Sequence, residues 1–335
     1  MNQIKMNEIE NLRLEELRRL MEEYKKEKHN INDLGQEEGQ CMQTAEDDFS
    51  ASISLLDDMV GMEHVKELLL RLGRYMRWRK KLEFGGIDTS NYPMPNLTFM
   101  FLGEPGTGKT TVANRMGSIL YNLGLLENEK VIVFRREDLV GENYGSEEGR
   151  TKDALEQTEG GVLFLDEAYQ CFKMATDKRD PGYHILETMM QEFGAPGRCI
   201  IMAGYKDEML ELTKVNPGFL SRIPRENIIE FKGVTETSMM RIATDAFKRM
   251  EFTLTFGAKA LLRGYVHEML QSKDKTFGNA RTISHIVESA VIHHANRIMT
   301  TTEVDDFRIS KADIRQSLVN LPTKKTLTHL RIGFV

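Results

Sequence analysis

Five short runs in the middle of the chain are apolar at nearly every position: 96–102, 131–134, 162–165, 199–203 and 228–231. Strands wetted on one face alternate apolar and polar residues, whereas strands covered on both faces do not have to. Helical signals fill the intervals, beginning at Thr111, over 151–157 and over 183–193. Buried strands alternating with helices predict an α/β fold, a five-stranded parallel sheet sandwiched by helices. A long helix from about Glu63 to Lys81 precedes the sheet, with Val65, Leu68, Leu69, Leu72, Tyr75 and Met76 at helical spacing. Gly85, Gly86, Pro93 and Pro95 end it. Beyond Gly233 the pattern turns wholly helical. Met239, Ile242, Ala243, Ala246, Phe247 and Met250 form one stripe, Leu261, Leu262, Tyr265, Val266 and Met269 a second, and Ile283, Ile286, Val287, Ala290 and Val291 a third. They predict a small all-helical domain.

The same pattern divides the chain. Residues 1–30 are charged and amphipathic, with Ile9, Leu12, Leu17, Leu20, Met21 and Tyr24 on one helical face. Residues 31–54 are polar, lack periodicity and read as a flexible linker. The α/β domain is expected over 55–232, the helical domain over 233–321, and a C-terminal tail over 322–335. With 335 residues and 40% apolar composition the chain can build two cores plus an appendage. No apolar run approaches the ~18 residues of a membrane span, and Met1 to Lys5 opens no apolar leader segment. Cys41, Cys171 and Cys199 are far apart and lack metal-ligand spacing, so a reducing, cytoplasmic setting is expected. A net charge of −6 weighs against nucleic acid as the main partner.

Chemistry enters at the ends of the strands. The first run leads into Gly103, Glu104, Pro105, Gly106, Thr107, Gly108, Lys109 and Thr110, and a helix begins at Thr111. Strand, glycine-rich turn and helix make this G-x-x-x-x-G-K-T a phosphate-binding loop. Its glycines let backbone N–H groups curl around an anion, and the helix N-terminus adds partial positive charge. Lys109 is placed for the β- and γ-phosphates of ATP, and the Thr110 hydroxyl for Mg²⁺. The third run, 162–165, ends in Asp166 and Glu167. Packing does not explain two acids there, because unpaired buried carboxylates are costly. Asp166 suits the Mg²⁺ shell, and Glu167 suits polarising the water that attacks the γ-phosphate.

These motifs, with Ala168-Tyr169, Ala203 to Asp207, Asn216 to Ile223 and Gly278 to Arg281, resemble those of AAA+ ATPases. The pattern is most similar to the CbbX-like group, which includes red-type Rubisco activase, stage V sporulation protein K and ATPases of type VII secretion. The resemblance spans about Leu55 to Met299. It implies a P-loop AAA+ sheet domain followed by a helical lid. It also implies that Arg222 is an arginine finger reaching the neighbouring subunit's γ-phosphate, with Arg225 a second candidate. Phe219 stands where related AAA proteins have the first of two arginines. Arg281 matches the lid's sensor 2 arginine, Tyr205 falls at sensor 1, and Val60 with Gly61 matches the segment that packs on adenine. Tyr144 lies where the central-pore loop falls.

The expectation is therefore an ATP-hydrolysing AAA+ motor that forms a homo-oligomeric ring, a hexamer, and remodels an unidentified protein substrate through its pore. Membrane and nucleic-acid partners are not expected. Two rivals stay open: a slow ATP-gated switch or scaffold, and a nucleic-acid-associated AAA+ ATPase. Substrate-stimulated turnover separates the first rival, and salt-dependent DNA binding tests the second.

Overall fold

Strand β1 (Thr98–Gly103) lies inside a parallel sheet with β2 (Val131–Phe134), β3 (Val162–Leu165), β4 (Cys199–Gly204) and β5 (Ile228–Phe231), in the order β2-β3-β4-β1-β5. The computed structural model describes residues 62–141, 146–172, 180–215, 217–233, 235–272, 278–300, 307–319 and 321. β1 pairs with β4 from Thr98 opposite Ile200 to Leu102 opposite Gly204, and with β5 from Met100 opposite Ile228 to Gly103 opposite Phe231. β1, β3 and β4 are buried at every position, which is why their sequences do not alternate. The edge strand β2 is buried only at Phe134.

Each face of the sheet has its own core. Phe99, Phe101, Phe164 and Ile201 pack with Val65, Leu68 and Leu69 of α1 (Glu63–Phe84) and with Val112, Met116 and Leu120 of α2 (Lys109–Asn122). Met100, Leu102, Leu165 and Met202 face the other way, onto Ile185, Leu186 and Met189 of α6 (Pro181–Gln191) and onto Phe219. Between these lie α3 (Arg136–Leu139), α4 (Glu147–Gln157) and α5 (Ala168–Phe172). Two further helices, α7 (Lys206–Val215) and α8 (Pro217–Ser221), precede β5. α6 starts two residues before the apolar periodicity, because Asp180 caps it by accepting from the Gly182 N–H at 2.8 Å and Pro181 suits the first helical position.

The C-terminal lid packs α9 (Glu236–Arg249), α10 (Phe256–Ser272), α11 (Ala280–Thr300) and α12 (Lys311–Ser317) around Phe247, Leu262, Val266, Ile286, Val287 and Ile314. It also carries a ribbon of two two-residue strands, β6 (Thr253–Leu254) and β7 (Arg308–Ile309), too short for any sequence period to show. At the far end of α11, Arg297 donates to both Asp313 oxygens at 3.1 and 3.2 Å and His294 lies beside them, while Ser310 N donates to Asp313 Oδ2 at 2.8 Å. Asp313 and His294 are buried. Asp313→Ala therefore removes the buried carboxylate that pairs with Arg297 and one half of the Ser310 capping box of α12. The expected cost is about 3–5 kcal/mol, to be read as a lowered urea midpoint.

Candidate functional site

The C-terminal ends of β1, β3 and β4 meet the first turn of α11 around a cleft of about 290 Å³. Gly103, Pro105, Gly106, Gly108, Lys109, Thr110 and Thr111 form one wall, Asp166 and Glu167 a second, Gly204 and Tyr205 a third, and Ala280, Arg281 and Ser284 the lid side. Of the residues singled out in the sequence, most therefore converge here.

The loop after β1 is built by its glycines. Gly106 has φ +70° and Gly108, which caps α2, has φ +95°, a region that residues with a Cβ rarely adopt. A Cβ on Gly106 would fall 1.9 Å from the Gly278 carbonyl oxygen, and one on Gly103 would fall 2.6 Å from that of Phe231. The lid rests directly on the loop: Ala280 N donates to Gly106 O at 3.1 Å, and Asn279 Nδ2 donates to Pro105 O at 3.1 Å. Glu104 and Thr107 do not border the cleft. Thr107 is buried and donates its hydroxyl to Glu104 O at 2.7 Å, so its side chain braces the loop from within.

Lys109 Nζ donates to the carbonyls of Gly103 at 2.6 Å and Glu104 at 2.9 Å. Burial pushes its pKa below the usual lysine value, against the pull of the Asp166, Glu104 and Glu167 carboxylates. The ammonium thus sits in a partly desolvated place with carbonyl partners that phosphate oxygens can replace. Asp166 continues β3, its N–H donating to Phe134 O at 2.9 Å. Glu167 follows with φ +51°, and its side chain accepts from Gln170 Nε2. Tyr205 stacks obliquely on Tyr169, ring centroids 5.7 Å apart, at the mouth of β4. Burial, first of all, raises the pKa of both phenols, so they stay neutral donors.

The residues fit a nucleoside triphosphate with Mg²⁺. Gly106 and Gly108 take the positive φ that lets the loop's N–H groups turn around an anion, Lys109 lines the same cleft, and a hydroxyl and a carboxylate (Thr110, Asp166) line it as hard oxygen donors. Mg²⁺ keeps several waters and substrate oxygens, so one or two protein ligands suffice.

Arg222 is not part of this cleft. It is exposed, follows α8, and donates Nη1–H to Gly218 O at 3.0 Å. Phe219 is fully buried against Phe193, ring centroids 5.8 Å apart, so this position is spent on the core. Arg225 is likewise exposed, in a short 3₁₀ turn. Val60, Gly61 and Tyr144 lie outside the described residues. Three cleft residues had no assigned role in the sequence. Ser284 is one helical turn beyond Arg281, a spacing that could have found it; Gly204 precedes Tyr205 directly; Ala280 follows from the Gly278-Asn279 contact, which no local pattern encodes.

Comparison with known proteins gives the same picture. Residues 99–231 match the "ATPase family associated with various cellular activities (AAA)", and residues 235–323 match the "AAA lid domain". A chloroplastic ribulose bisphosphate carboxylase/oxygenase activase of Cyanidioschyzon merolae is 34% identical over 277 residues, 78% of this chain and 91% of the relative. Protein CbbX of Cereibacter sphaeroides is 33% identical over 250 residues, covering 73% and 77%. Among solved structures, a RuvB mutant of Thermotoga maritima superposes with a TM-score of 0.52 at 18% identity, covering 83% of this chain and 80% of the other. The fold is shared.

Proposed function

The chain belongs to the AAA+ ATPases, as a CbbX-like member with an α/β P-loop domain and a helical lid, and from that premise we propose that it is a ring-forming motor drawing a segment of a protein substrate through a central pore. It is an ATPase. The observation that carries the reading is the convergence of Lys109, Asp166 and Glu167 with Arg281 from the lid on one cleft. Mg²⁺, when bound, would supply charge screening for the phosphates. Lys109 neutralises the β- and γ-phosphates, Thr110 and Asp166 would hold the metal, and Glu167 takes the proton of the attacking water. Arg281 rides on the lid, so a phosphate contact there couples lid position to nucleotide state. Tyr205 orients the water from the β4 side. The Cyanidioschyzon merolae relative is named as an activase of an enzyme, ribulose bisphosphate carboxylase/oxygenase, and a folded protein is the substrate class proposed here.

The pore reading rests on sequence. Tyr144 lies between Gly141 and Ser146, in the connection between α3 and α4. The proposed grip is that of the Tyr144 ring, which in sequence is followed directly by Gly145. Tyr144→Ala is expected to keep basal ATPase within about twofold while losing all stimulation by polypeptides captured on the Glu167→Gln form. Normal stimulation in the mutant would remove threading from the mechanism and leave the switch.

A further inference from the structure

Glu167 is one of four non-glycine residues with a left-handed backbone among those described, at φ +51°. Such a conformation persists only where the surroundings over-determine it. Three hydrogen bonds do so here. The Glu167 N–H donates to Asp166 Oδ1 at 3.1 Å, the Gln170 N–H donates to Glu167 O at 2.8 Å, and Gln170 Nε2 donates to Glu167 Oε2. Glu167 borders the cleft, whereas Gln170 stands outside it. Gln170 is anchored in turn: Arg136 Nη1 donates to the carbonyls of Gln170 at 2.7 Å and Cys171 at 3.3 Å, closing the C-terminal end of α5.

We propose that Gln170 is a positioning residue for Glu167, gripping one carboxylate oxygen from behind the cleft and leaving Oε1 for the attacking water. The inference rests on Glu167 being the group that polarises that water. A glutamate side chain has three free torsions, and an error of about 1 Å in a reacting group costs on the order of 10²-fold in rate. The partner's chemistry is suited to the task. A neutral amide N–H fixes the carboxylate without taking up its charge, whereas a lysine or arginine there would stabilise the anion and weaken it as a base. Arg136 keeps its cation on the backbone carbonyls, one step removed from the carboxylate.

The test is single-turnover ATP hydrolysis with equilibrium ATP affinity, measured on Gln170→Ala, Gln170→Glu and Glu167→Gln. Gln170→Ala should slow the hydrolytic step about tenfold while ATP affinity stays at the wild-type value. Gln170→Glu replaces the amide donor with an acceptor, so it should slow the hydrolytic step at least as much, again with ATP affinity unchanged. A residue that only supported the fold would lower ATP affinity together with hydrolysis. Gln170 is exposed, so neither variant opens a cavity. A wild-type hydrolytic rate in Gln170→Ala or in Gln170→Glu overturns the proposal while Glu167→Gln stays inactive. Full hydrolysis by Glu167→Gln overturns it together with the role of Glu167.

Discussion

Glu167→Gln is expected to hold ATP with near wild-type affinity and to lose turnover by about 10²–10⁴-fold. Glutamine has nearly the same shape, so the left-handed turn at φ +51° and the loop around Lys109 stay in place. What disappears is the carboxylate proposed to take the proton from water. Lys109→Ala should fail earlier, at binding. Its ammonium belongs to the one lysine among the described residues that line the cleft, already partly desolvated, and without it the loop itself offers the phosphate charge no side-chain cation. Equilibrium nucleotide binding and phosphate release, measured side by side on the two variants, separate the roles. Turnover of Glu167→Gln at the wild-type rate would end its assignment, and undiminished ATP affinity in Lys109→Ala would end that of the lysine.

The contrast also marks what a sequence displays. The strands were legible because three of the five are buried at every position and so written as unbroken apolar runs. The loop from Gly103 to Thr110 was legible because an anion cradle demands glycines at positive φ, and only a fixed spacing supplies them. Thr107 shows the limit of that spacing: it lies inside the motif, yet its side chain turns inward onto Glu104 O. The short helices α3 and α5 were not legible, since four or five residues cannot display a 3.6-residue period. Their places are fixed instead by tertiary bonds such as Arg136 to the Gln170 carbonyl. The seat of the lid on the loop, Gly278 against Gly106, joins segments from two different cores, and nothing local in either announces it. Phe219 gives no local sign of its place, and its burial against Phe193 accounts for it.

Arg222→Ala is expected to leave ATP binding intact and to lower turnover by about 10³-fold or more, as follows from the proposal that Arg222 serves a neighbouring subunit's cleft and not its own. The chain's own geometry argues against service in cis. The Arg222 carbonyl accepts from Asn96 Nδ2 at 2.9 Å, and Asn96 lies just before β1, whose opposite end carries the cleft. From Asn96 to Gly103 an extended chain covers roughly 20 Å at about 3.3 Å per residue, further than a guanidinium reaches from its Cα. An exposed arginine fixed at that end of the sheet is useful to catalysis only when another copy brings a cleft to it. Complementation decides the point. Arg222→Ala subunits keep Glu167, and Glu167→Gln subunits keep Arg222, so an evenly mixed cyclic ring regains roughly a quarter of its competent interfaces. Each parent alone stays inactive. Mixed assemblies shown to contain both variants, yet without recovered hydrolysis, would exclude the trans contact; a Glu167→Gln protein that stays monomeric at saturating ATP would exclude the ring.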